Sequence, residues 1–216
     1  MTTTATAAPA TTQSQSPIDT RSSIETLRRV VAGPVLTPTD DGYADEVASF
    51  NQIATHRPPI VVGAMCADDV AAAVRFAIKH GHSVAVQATG HGTSFPVTDG
   101  VMISTKRMTD VTVDPQRGVA RIGAGAKWAR VIEAAAPYGL APLSGSSTDV
   151  GAVGYTLGGG MGPLGRRYGF SADRVRSVEI VTGDGRLRTI TADDDTGLLG
   201  HPRRQGQPRH RHGHRG

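Results

Sequence analysis

The segment QATGHGTS, residues 87–94, combines two glycines and hydroxyl side chains with a single histidine, His91. Small and hydroxyl residues in a loop free several backbone N–H groups to converge on an anion such as a phosphate. A neutral imidazole is also a competent nucleophile toward an activated carbon atom. Taken alone, the loop leaves two interpretations of His91 open: an exposed or structurally hydrogen-bonded residue, and a residue with a chemical role.

A second glycine-rich segment, GSSTDVGAVGYTLGGGMG, begins at Gly145. Its glycines occupy positions 145, 151, 154, 158, 159, 160 and 162. Backbone with so few side chains lets a flat molecule or another backbone come close. The alternative is a flexible low-complexity loop, but the glycines alternate with valine, tyrosine and leucine, which indicates a packed segment.

A third cluster, VARIGAGAKWA, matches the dinucleotide pattern G-x-G-x-x-A through Gly123, Gly125 and Ala129. That pattern requires an acidic residue about twenty positions later, at the end of a second parallel strand. The corresponding stretch here, PLSGSSTDV, does not have the character of a strand. The sequence therefore favours a strand-to-helix turn with close packing over a Rossmann site.

The histidine loop follows a predicted βαβ unit. A short apolar strand, Ile60–Val62, precedes a helix over ADDVAAAVRFAIKH that ends at Gly81, and HSVAVQA supplies the second strand. Strand, helix and strand within about thirty residues are typical of this unit. The predicted apolar face of the helix consists of Val70, Val74, Ala77 and Ile78.

Antiparallel elements dominate the second half of the chain. GVMIST and VTVD are predicted strands, and PQRG is a predicted turn that leads VTVD into the next strand, VARIGAG. A helix follows from Lys127 to Ala136, and Gly183-Asp184-Gly185 predicts a hairpin between the last two strands. The predicted fold class is α+β, with a small βαβ lobe over about residues 56–99 and a larger β-rich lobe that has its own helices.

These features together resemble one family. A histidine loop after a βαβ unit, then Gly-x-x-Gly-x-x-Leu-Gly-Gly-Gly-x-Gly, then LGRRYGFSADRVRSVEIVTGDGR, is similar to the berberine bridge enzyme-like FAD-linked oxidases. These belong to the vanillyl-alcohol oxidase/p-cresol methylhydroxylase (PCMH-type) superfamily. The resemblance over residues 56–196 implies a PCMH-type FAD-binding domain, incomplete at its C-terminal end. It implies a FAD-dependent oxidoreductase that oxidises a small organic substrate.

The family's loop, Arg-Ser-Gly-Gly-His, wraps the FAD pyrophosphate and bonds its histidine to the flavin 8α carbon. The resemblance therefore implies that one set of residues binds FAD: Gln87, Ala88, Thr89, Gly90, His91 and Gly92, with one covalent link through His91. It implies that a second set borders the cofactor: Ser147, Gly151, Gly154, Gly158 and Gly159.

Some family members add a second covalent bond through a cysteine in Gly-x-Cys-x-x-Val-Gly. Ser147 stands at that position and lacks the nucleophilicity of a thiol, so at most one covalent bond is implied. The single cysteine, Cys66, lies in the predicted helix and is expected to be a small core residue. The family's catalytic base is expected beyond the matched residues, and no metal site is predicted.

The last residues, 197–216, depart from the family and contain five arginines, four histidines and no acid. When Leu198–His212 is back-translated and read in a shifted frame, it can encode FWAIRGGKGNLGIVT, a segment like the family's continuation. The interpretation is that a frameshift replaced the end of a longer flavoenzyme and left a disordered tail. A histidine-rich metal tract and a basic nucleic-acid arm are the alternatives, although no cysteine or carboxylate accompanies these histidines.

Composition argues against several classes of protein. The formal charge is +4, and the five arginines of residues 197–216 leave −1 for residues 1–196, so no nucleic-acid partner is expected. Residues 1–22 are predicted to be a disordered leader, and residues 23–55 an N-terminal helix and a turn-rich lead-in. No stretch reaches transmembrane length, and one cysteine fits a reducing compartment, which predicts a cytoplasmic protein without a membrane partner. A non-catalytic flavin-binding or scaffold module is the alternative function.

Overall fold

The computed structural model describes residues 17–191, which form two lobes. The small lobe is built on a four-stranded sheet with the order β1-β2-β4-β3. Its strands are β1 (Val35–Leu36), β2 (Ile60–Gly63), β3 (Val84–Gln87) and β4 (Val101–Ser104). Strand β1 is antiparallel to β2, whereas β2, β4 and β3 are parallel to one another. The predicted βαβ unit is therefore present, with one strand inserted between its two strands.

That inserted strand, β4, corrects the predicted topology. The sequence pattern predicts that GVMIST belongs to the antiparallel elements and that the small lobe ends near residue 99, but β4 pairs in parallel with both β2 and β3. All four residues of β4 are buried. A central parallel strand is covered on both faces, so it has an unbroken apolar run rather than an alternating pattern. The small lobe therefore extends at least to Ser104.

Helices cover both faces of this sheet. On one face, α1 (Pro17–Val30) and α3 (Ala67–His80) contribute to a core with β2 and β4. On the other face, the short helix α2 (Tyr43–Val47) packs against β2 and β4. The sheet residues in these two cores are Ile60, Val61, Val62, Val101, Met102 and Ile103, each at most 2% exposed. This double cover fixes β2 and β4, and the partly exposed edge strand β3, which precedes the histidine loop, is held by its pairing with β4.

The buried carboxylate of Asp69 joins α1 to α3. Its oxygens accept hydrogen bonds from the backbone N–H groups of Ala32, Gly33 and Met65 at 2.8, 3.1 and 2.9 Å. Hydrogen bonds to an ionised acceptor are about twice as strong as neutral ones. Asp69 therefore ties the chain that leaves α1 to the chain that enters α3.

The N-terminal boundaries differ from the prediction. Helix α1 begins at Pro17, inside the predicted leader of residues 1–22, and proline favours the first helical position because its missing N–H is not needed there. Helix α1, β1 and α2 all pack into the small lobe, so residues 23–55 are part of that lobe rather than a lead-in to it. Residues 1–16 lie outside the described part of the chain.

The large lobe contains two separate hairpins and several short helices. Its strands are β5 (Val111–Asp114), β6 (Val119–Ile122), β7 (Ser177–Val181) and β8 (Leu187–Thr191). Its helices are α4 (Trp128–Ala135), α5 (Ala152–Leu157) and α6 (Gly165–Tyr168), with 3-10 turns at Ala136–Tyr138 and Ser171–Arg174. The predicted pairing of β5 with β6 and of β7 with β8 is confirmed, and both pairs are antiparallel.

The turn between β6 and α4 joins the two lobes. The N–H of Gly125 donates to the carbonyl oxygen of Met108 at 2.9 Å, and a Cβ atom at Gly125 would overlap the carbonyl oxygen of Thr105. Thr105 directly follows β4, so the missing side chain lets the backbones of the two lobes touch. The close-packing interpretation of this turn is confirmed. A second joint is made by Arg75 of α3, which donates to the carbonyl oxygen of Gly185 at 2.9 Å.

Two side chains lie elsewhere than predicted. Ile78 is 53% exposed, because α3 packs over β2 and β4 and this position falls outside that contact. Cys66 is exposed and precedes α3 as its N-cap residue, so it is not a core residue. The arginine- and histidine-rich segment 197–216, with its frameshift interpretation, lies outside the described residues.

Candidate functional site

The histidine loop leaves the carboxyl end of β3 and is tied to the segment that follows α2. The N–H of Phe50 donates to the carbonyl oxygen of Thr89 at 2.9 Å, and the N–H of Asn51 donates to that of Gly90 at 3.2 Å. Gly90 has a φ of 74°, a left-handed conformation that suits glycine, and a Cβ atom there would overlap the side chain of Ser49. The glycine before the histidine is thus required by the backbone.

The first residue of the loop, Gln87, has its side chain turned into the small lobe. Its Oε1 lies 2.9 Å from Nε2 of the buried His56, and its Nε2 donates to the carbonyl oxygens of Ala48 and Val47 at 3.0 and 3.4 Å. The N–H of Val97 donates to Nδ1 of His56 at 2.9 Å, so Nε2 of His56 carries the proton that reaches Gln87. The amide of Gln87 therefore holds the base of the loop in place.

The imidazole of His91 is half-buried between the loop and a neighbouring ring. Its Nδ1 lies 2.9 Å from Oγ1 of Thr89, and its ring stacks on Phe50 with centroids 3.8 Å apart and an interplanar angle of 10°. Its Nε2 is buried and has no hydrogen-bond partner among the described residues. A buried polar atom without a partner is rare in proteins and indicates an absent ligand, ion or water.

The second glycine segment meets this loop at Gly151. The N–H of Gly151 donates to Oγ1 of Thr89 at 3.3 Å, and this contact lies directly before α5. The segment is fixed against α4 by the N–H of Ala152, which donates to the carbonyl oxygen of Ala126 at 2.8 Å, and by a stack of Trp128 edge-on to Tyr155. Two segments far apart in sequence therefore converge on one threonine hydroxyl.

The remaining predicted site residues differ in how they lie relative to the histidine loop. Ala88 and Gly151 face each other, since a Cβ built at Gly151 would lie 3.7 Å from the Cβ of Ala88. Gly92 and Gly154 are exposed. Among the described residues, no hydrogen bond joins Ser147, Gly158 or Gly159 to the histidine loop. The hydroxyl of Ser147 accepts a hydrogen bond from the N–H of Asp149 at 3.4 Å. The carbonyl oxygen of Gly159 accepts a hydrogen bond from the N–H of Ala172 at 3.3 Å, in the 3-10 turn that begins at Ser171.

A cavity of about 430 Å³ lies between the lobes beside His91. The small lobe lines it with Phe50, Thr89, His91 and Lys106, and the large lobe with Lys127 and Arg130. Its lining contains three cationic side chains and, within the described residues, no carboxylate. This position, beyond the carboxyl ends of parallel strands, is where open α/β sheets bind ligands.

Two of the cations have defined partners. Nζ of Lys106 donates to the carbonyl oxygens of Asp45, Glu46 and Ala48 at 2.9, 3.0 and 2.7 Å, which satisfies the C-terminal end of α2. Burial lowers the pKa of Lys106, while the nearby carboxylate of Glu46 acts in the opposite direction.

Lys127 forms an ion pair with Asp149, with Nζ and Oδ1 separated by 2.9 Å. The hydrogen bond from Lys127 lowers the pKa of the Asp149 carboxyl, and the charge of His91 acts in the same direction. Asp149 belongs to the second glycine segment, so this pair adds a further link between that segment and α4. No ion pair engages Arg130 within the part of the chain described, which leaves its guanidinium free toward the cavity.

These residues fit a flavin dinucleotide. The buried Nε2 of His91 lacks a partner among the described residues, and the cavity beside it has a cationic lining that suits a diphosphate. The sequence analysis did not find Phe50, Lys106, Lys127 or Arg130. Lys106 follows β4 by two residues, so a parallel assignment of β4 would have placed it at the ligand edge of the sheet.

Other kinds of site have no support within residues 17–191. No group of three or more histidine, cysteine, aspartate or glutamate side chains there is arranged to hold a metal ion. None of the helices described is long and apolar enough to cross a membrane.

Comparison with known proteins identifies one family. Residues 58–191 match the family model described as FAD binding domain. The chain is 33% identical over 165 residues to the FAD-linked oxidoreductase hasG of Aspergillus fumigatus, covering 74% of this chain and 35% of that protein. It is 31% identical over 168 residues to (R)-6-hydroxynicotine oxidase of Paenarthrobacter nicotinovorans, covering 76% of this chain and 36% of that protein.

A solved structure gives the same result for the fold. The crystal structure of 6-hydroxy-D-nicotine oxidase from Arthrobacter nicotinovorans superimposes with a TM-score of 0.72 at 28% identity, over 78% of this chain and 38% of that one. The chain thus spans about a third of the length of the curated relatives that it matches.

Proposed function

The chain belongs to the FAD binding domain family, within the PCMH-type superfamily of berberine bridge enzyme-like oxidases, and from this premise we propose that it binds FAD between its two lobes. In this proposal it supplies the cofactor-binding part of an oxidoreductase that acts on a small organic molecule. The relatives include the FAD-linked oxidoreductase hasG and (R)-6-hydroxynicotine oxidase, which supports that class of reaction.

The observation that carries the proposal is the convergence of the histidine loop and the Gly151 segment at the edge of the parallel sheet. Oγ1 of Thr89 joins the two within 3.3 Å, and the cavity beside them has a cationic lining. Backbone N–H groups of residues 90–92 and the side chains of Lys127 and Arg130 would bind the diphosphate. His91 would face the flavin, either in contact with it or bonded to it. When bound, FAD supplies a two-electron acceptor for hydride.

Titration of the purified 216-residue chain with FAD, followed by flavin fluorescence, tests the proposal. We expect saturable binding of FAD, weaker binding of riboflavin, which lacks the phosphates, and a yellow colour in the wild type that persists through acid precipitation if His91 is bonded to the flavin. His91→Ala should abolish the acid-stable colour, because it removes the imidazole that would be bonded to the flavin. A folded chain that binds neither flavin would refute the proposal.

A second candidate, a flavin-binding module without turnover, is favoured by one observation. The cavity lining contains no carboxylate within residues 17–191, and Asp149 is already paired with Lys127. A substrate C–H bond that loses a hydride usually also needs a base for the adjacent proton. Oxygen uptake with small alcohols and amines distinguishes the two functions, since the module predicts FAD binding without uptake.

The wider setting of the protein follows the same reasoning. We propose a cytoplasmic protein, because its single cysteine, Cys66, is free and exposed, a state that reducing compartments preserve. Its expected partners are FAD and a small-molecule substrate.

A further inference from the structure

Thr89 carries a hydroxyl group at the point where the two glycine-rich segments meet. The hydroxyl lies 2.9 Å from Nδ1 of His91 and 3.3 Å from the backbone nitrogen of Gly151. The similar loop of the resembled family has glycine at this position, so the side chain is a feature of this chain. A Cβ built at Gly151 would also contact Oγ1 and Cγ2 of Thr89 at 3.4 and 3.5 Å.

The two hydrogen bonds of the Thr89 hydroxyl, one with His91 and one with Gly151, form a bridge. The chemistry of the three groups decides which of them donates and which accepts. A backbone N–H only donates, so Oγ1 of Thr89 accepts from Gly151. The hydroxyl can donate its own proton to Nδ1 of a neutral His91, or accept a proton from Nδ1 with its second lone pair. The bridge therefore persists in either tautomer and in either charge state of His91. A methyl group in place of the hydroxyl would end both contacts.

Within the bridge, the hydrogen bond from Gly151 to Thr89 is the one found between the histidine loop and the Gly151 segment among the described residues. Each segment is otherwise held by its own lobe. The carbonyl of Thr89 is bound to the N–H of Phe50, and the N–H of Ala152 is bound to the carbonyl of Ala126, at 2.9 and 2.8 Å. The joints at Gly125 and Arg75 hold the lobes together at other places, so the hydrogen bond from Gly151 to Thr89 is the local polar link that sets how these two segments face each other.

From this geometry we infer that Thr89 is a positioning residue: its hydroxyl sets the orientation of His91 and holds the two halves of the flavin site together before the cofactor binds. The expected effect on cofactor binding rests on the proposed function, whereas the two hydrogen bonds of Thr89 do not require FAD. Pre-organised sites lose less conformational freedom on binding and so bind more tightly.

The first test uses the full chain without FAD. Amide hydrogen exchange of residues 148–154 should accelerate about twofold to tenfold in Thr89→Val, the range for losing one typical hydrogen bond. Thr89→Ser, which keeps the hydroxyl, should stay near wild type, and exchange in α3 should not change in either variant. Thr98→Val is the matched control, because Thr98 is exposed and lies further along the same connection between β3 and β4. Unchanged exchange of Gly151 in Thr89→Val would overturn the inference.

The second test adds FAD. We expect Thr89→Val to weaken FAD binding about twofold to tenfold, with rescue by Thr89→Ser, while the thermal midpoint without FAD changes little. If Thr89→Val raises exchange but leaves FAD affinity at the wild-type value, the hydroxyl does not position the site. If the wild type itself binds no flavin, the proposed function fails, and the exchange of Gly151 still decides whether the bridge exists. Should Thr89→Val not fold, Thr89→Ala provides the same comparison without the branched side chain.

Discussion

The two lobes differ in the kind of sheet that they contain. In the small lobe, β2 and β4 are covered on both faces, and Val61, Met102 and Ile103 have no exposed surface. In the large lobe, the hairpins β5–β6 and β7–β8 form separate two-stranded sheets. Large apolar side chains are exposed in both lobes, for example Phe50 and Val86 in the small lobe and Leu157, Met161 and Leu164 in the large lobe.

This difference assigns separate tasks to the two halves of the site. A two-stranded hairpin alone is only marginally stable in water. The β5–β6 hairpin packs on α4 in a core of its own lobe with Trp128 and Val131, whereas the β7–β8 hairpin places Val181 against the core of the small lobe, so the large lobe depends in part on its contacts with the small one. Those contacts include the packing of Gly125 against Thr105 and the hydrogen bond from Arg75 to the β7–β8 turn. The small lobe holds His91 on a rigid frame, and the large lobe brings Gly151 to it.

Truncation in the small-lobe core should have the largest effect. Ile103→Ala is expected to lower the free energy of unfolding by about 2–5 kcal/mol, because it leaves a cavity in a fully covered sheet. Leu164→Ala, on the exposed face of the large lobe, should change it by less than about 0.5 kcal/mol. Urea unfolding followed by circular dichroism measures both. Equal effects would contradict the proposed contrast between the lobes.

A side chain at the joint between the lobes should have the next largest effect. Gly125→Ala forces a Cβ against the carbonyl oxygen of Thr105, and overpacking of this kind costs about 1–3 kcal/mol. The same urea experiment applies. Gly183→Ala is the matched control, since a Cβ there meets no atom within 4 Å. If both variants have wild-type stability, the two backbones are not in contact.

Loss of the amide at the base of the histidine loop should destabilise the small lobe. Gln87→Leu leaves the proton on Nε2 of His56 and the carbonyl of Ala48 unpaired, which costs about 1–3 kcal/mol for a buried polar group. Calorimetric unfolding measures the change. Gln52→Leu, an exposed glutamine in the preceding segment, should be close to neutral.

Removal of a cavity cation should affect FAD binding and leave stability unchanged. Arg130→Gln and Lys127→Gln are each expected to weaken FAD binding about twofold to fivefold, the range for one exposed charge interaction. Riboflavin, which carries no phosphate, should bind the variants as it binds the wild type. Fluorescence titration at low and high salt measures both ligands. Arg117→Gln, outside the cavity, removes the same charge, and a similar loss in that variant would rule out a specific role for the cavity cations.

The smallest effect is expected at the β7–β8 turn of the large lobe. The side-chain hydrogen bonds from Thr182 and Arg188 lower the pKa of Asp184 from 3.8 to about 2. A carboxyl with a lowered pKa stabilises the fold above its unfolded pKa, and this contribution disappears as pH falls through the folded value. The thermal midpoint of the wild type should therefore be slightly higher than that of Asp184→Asn at pH 6. This difference should vanish as the pH falls from about 4 to about 2. A difference that is constant with pH would mean that the carboxylate charge is not involved.

Local patterns predicted most elements correctly. The helix over residues 67–80, both hairpins and the close-packed turn at Gly125 each follow from spacing within a few residues, and the structure confirms them. The central position of β4 could not be predicted in this way, because it depends on which strands pair across forty residues. The exposed state of Ile78 has the same origin, since it depends on where α3 lies over the sheet.

The site was predicted in part, for a related reason. Glycine and histidine patterns indicated the loop at His91 and the segment at Gly151, and the structure brings these two together. The cofactor-binding role of every predicted site residue stays a prediction. Ser147, Gly158 and Gly159 also make no hydrogen bond to the histidine loop within the described chain. Phe50, Lys127 and Arg130 had no signal of their own, since an aromatic or a cation acquires this role only from its neighbours in space.

The insertion of β4 between β2 and β3 also bears on how the chain folds during synthesis. Strands β2 and β3 both precede β4 in the sequence and do not pair with each other, so the ribosome releases two sheet edges before the strand that fills the gap between them. The small lobe cannot close until residue 104 has left the exit tunnel, by which time the segment with His91 is already outside. Nascent chains that stop before this residue should bind chaperones strongly and resist proteases poorly, and chains extended past it should lose both properties together.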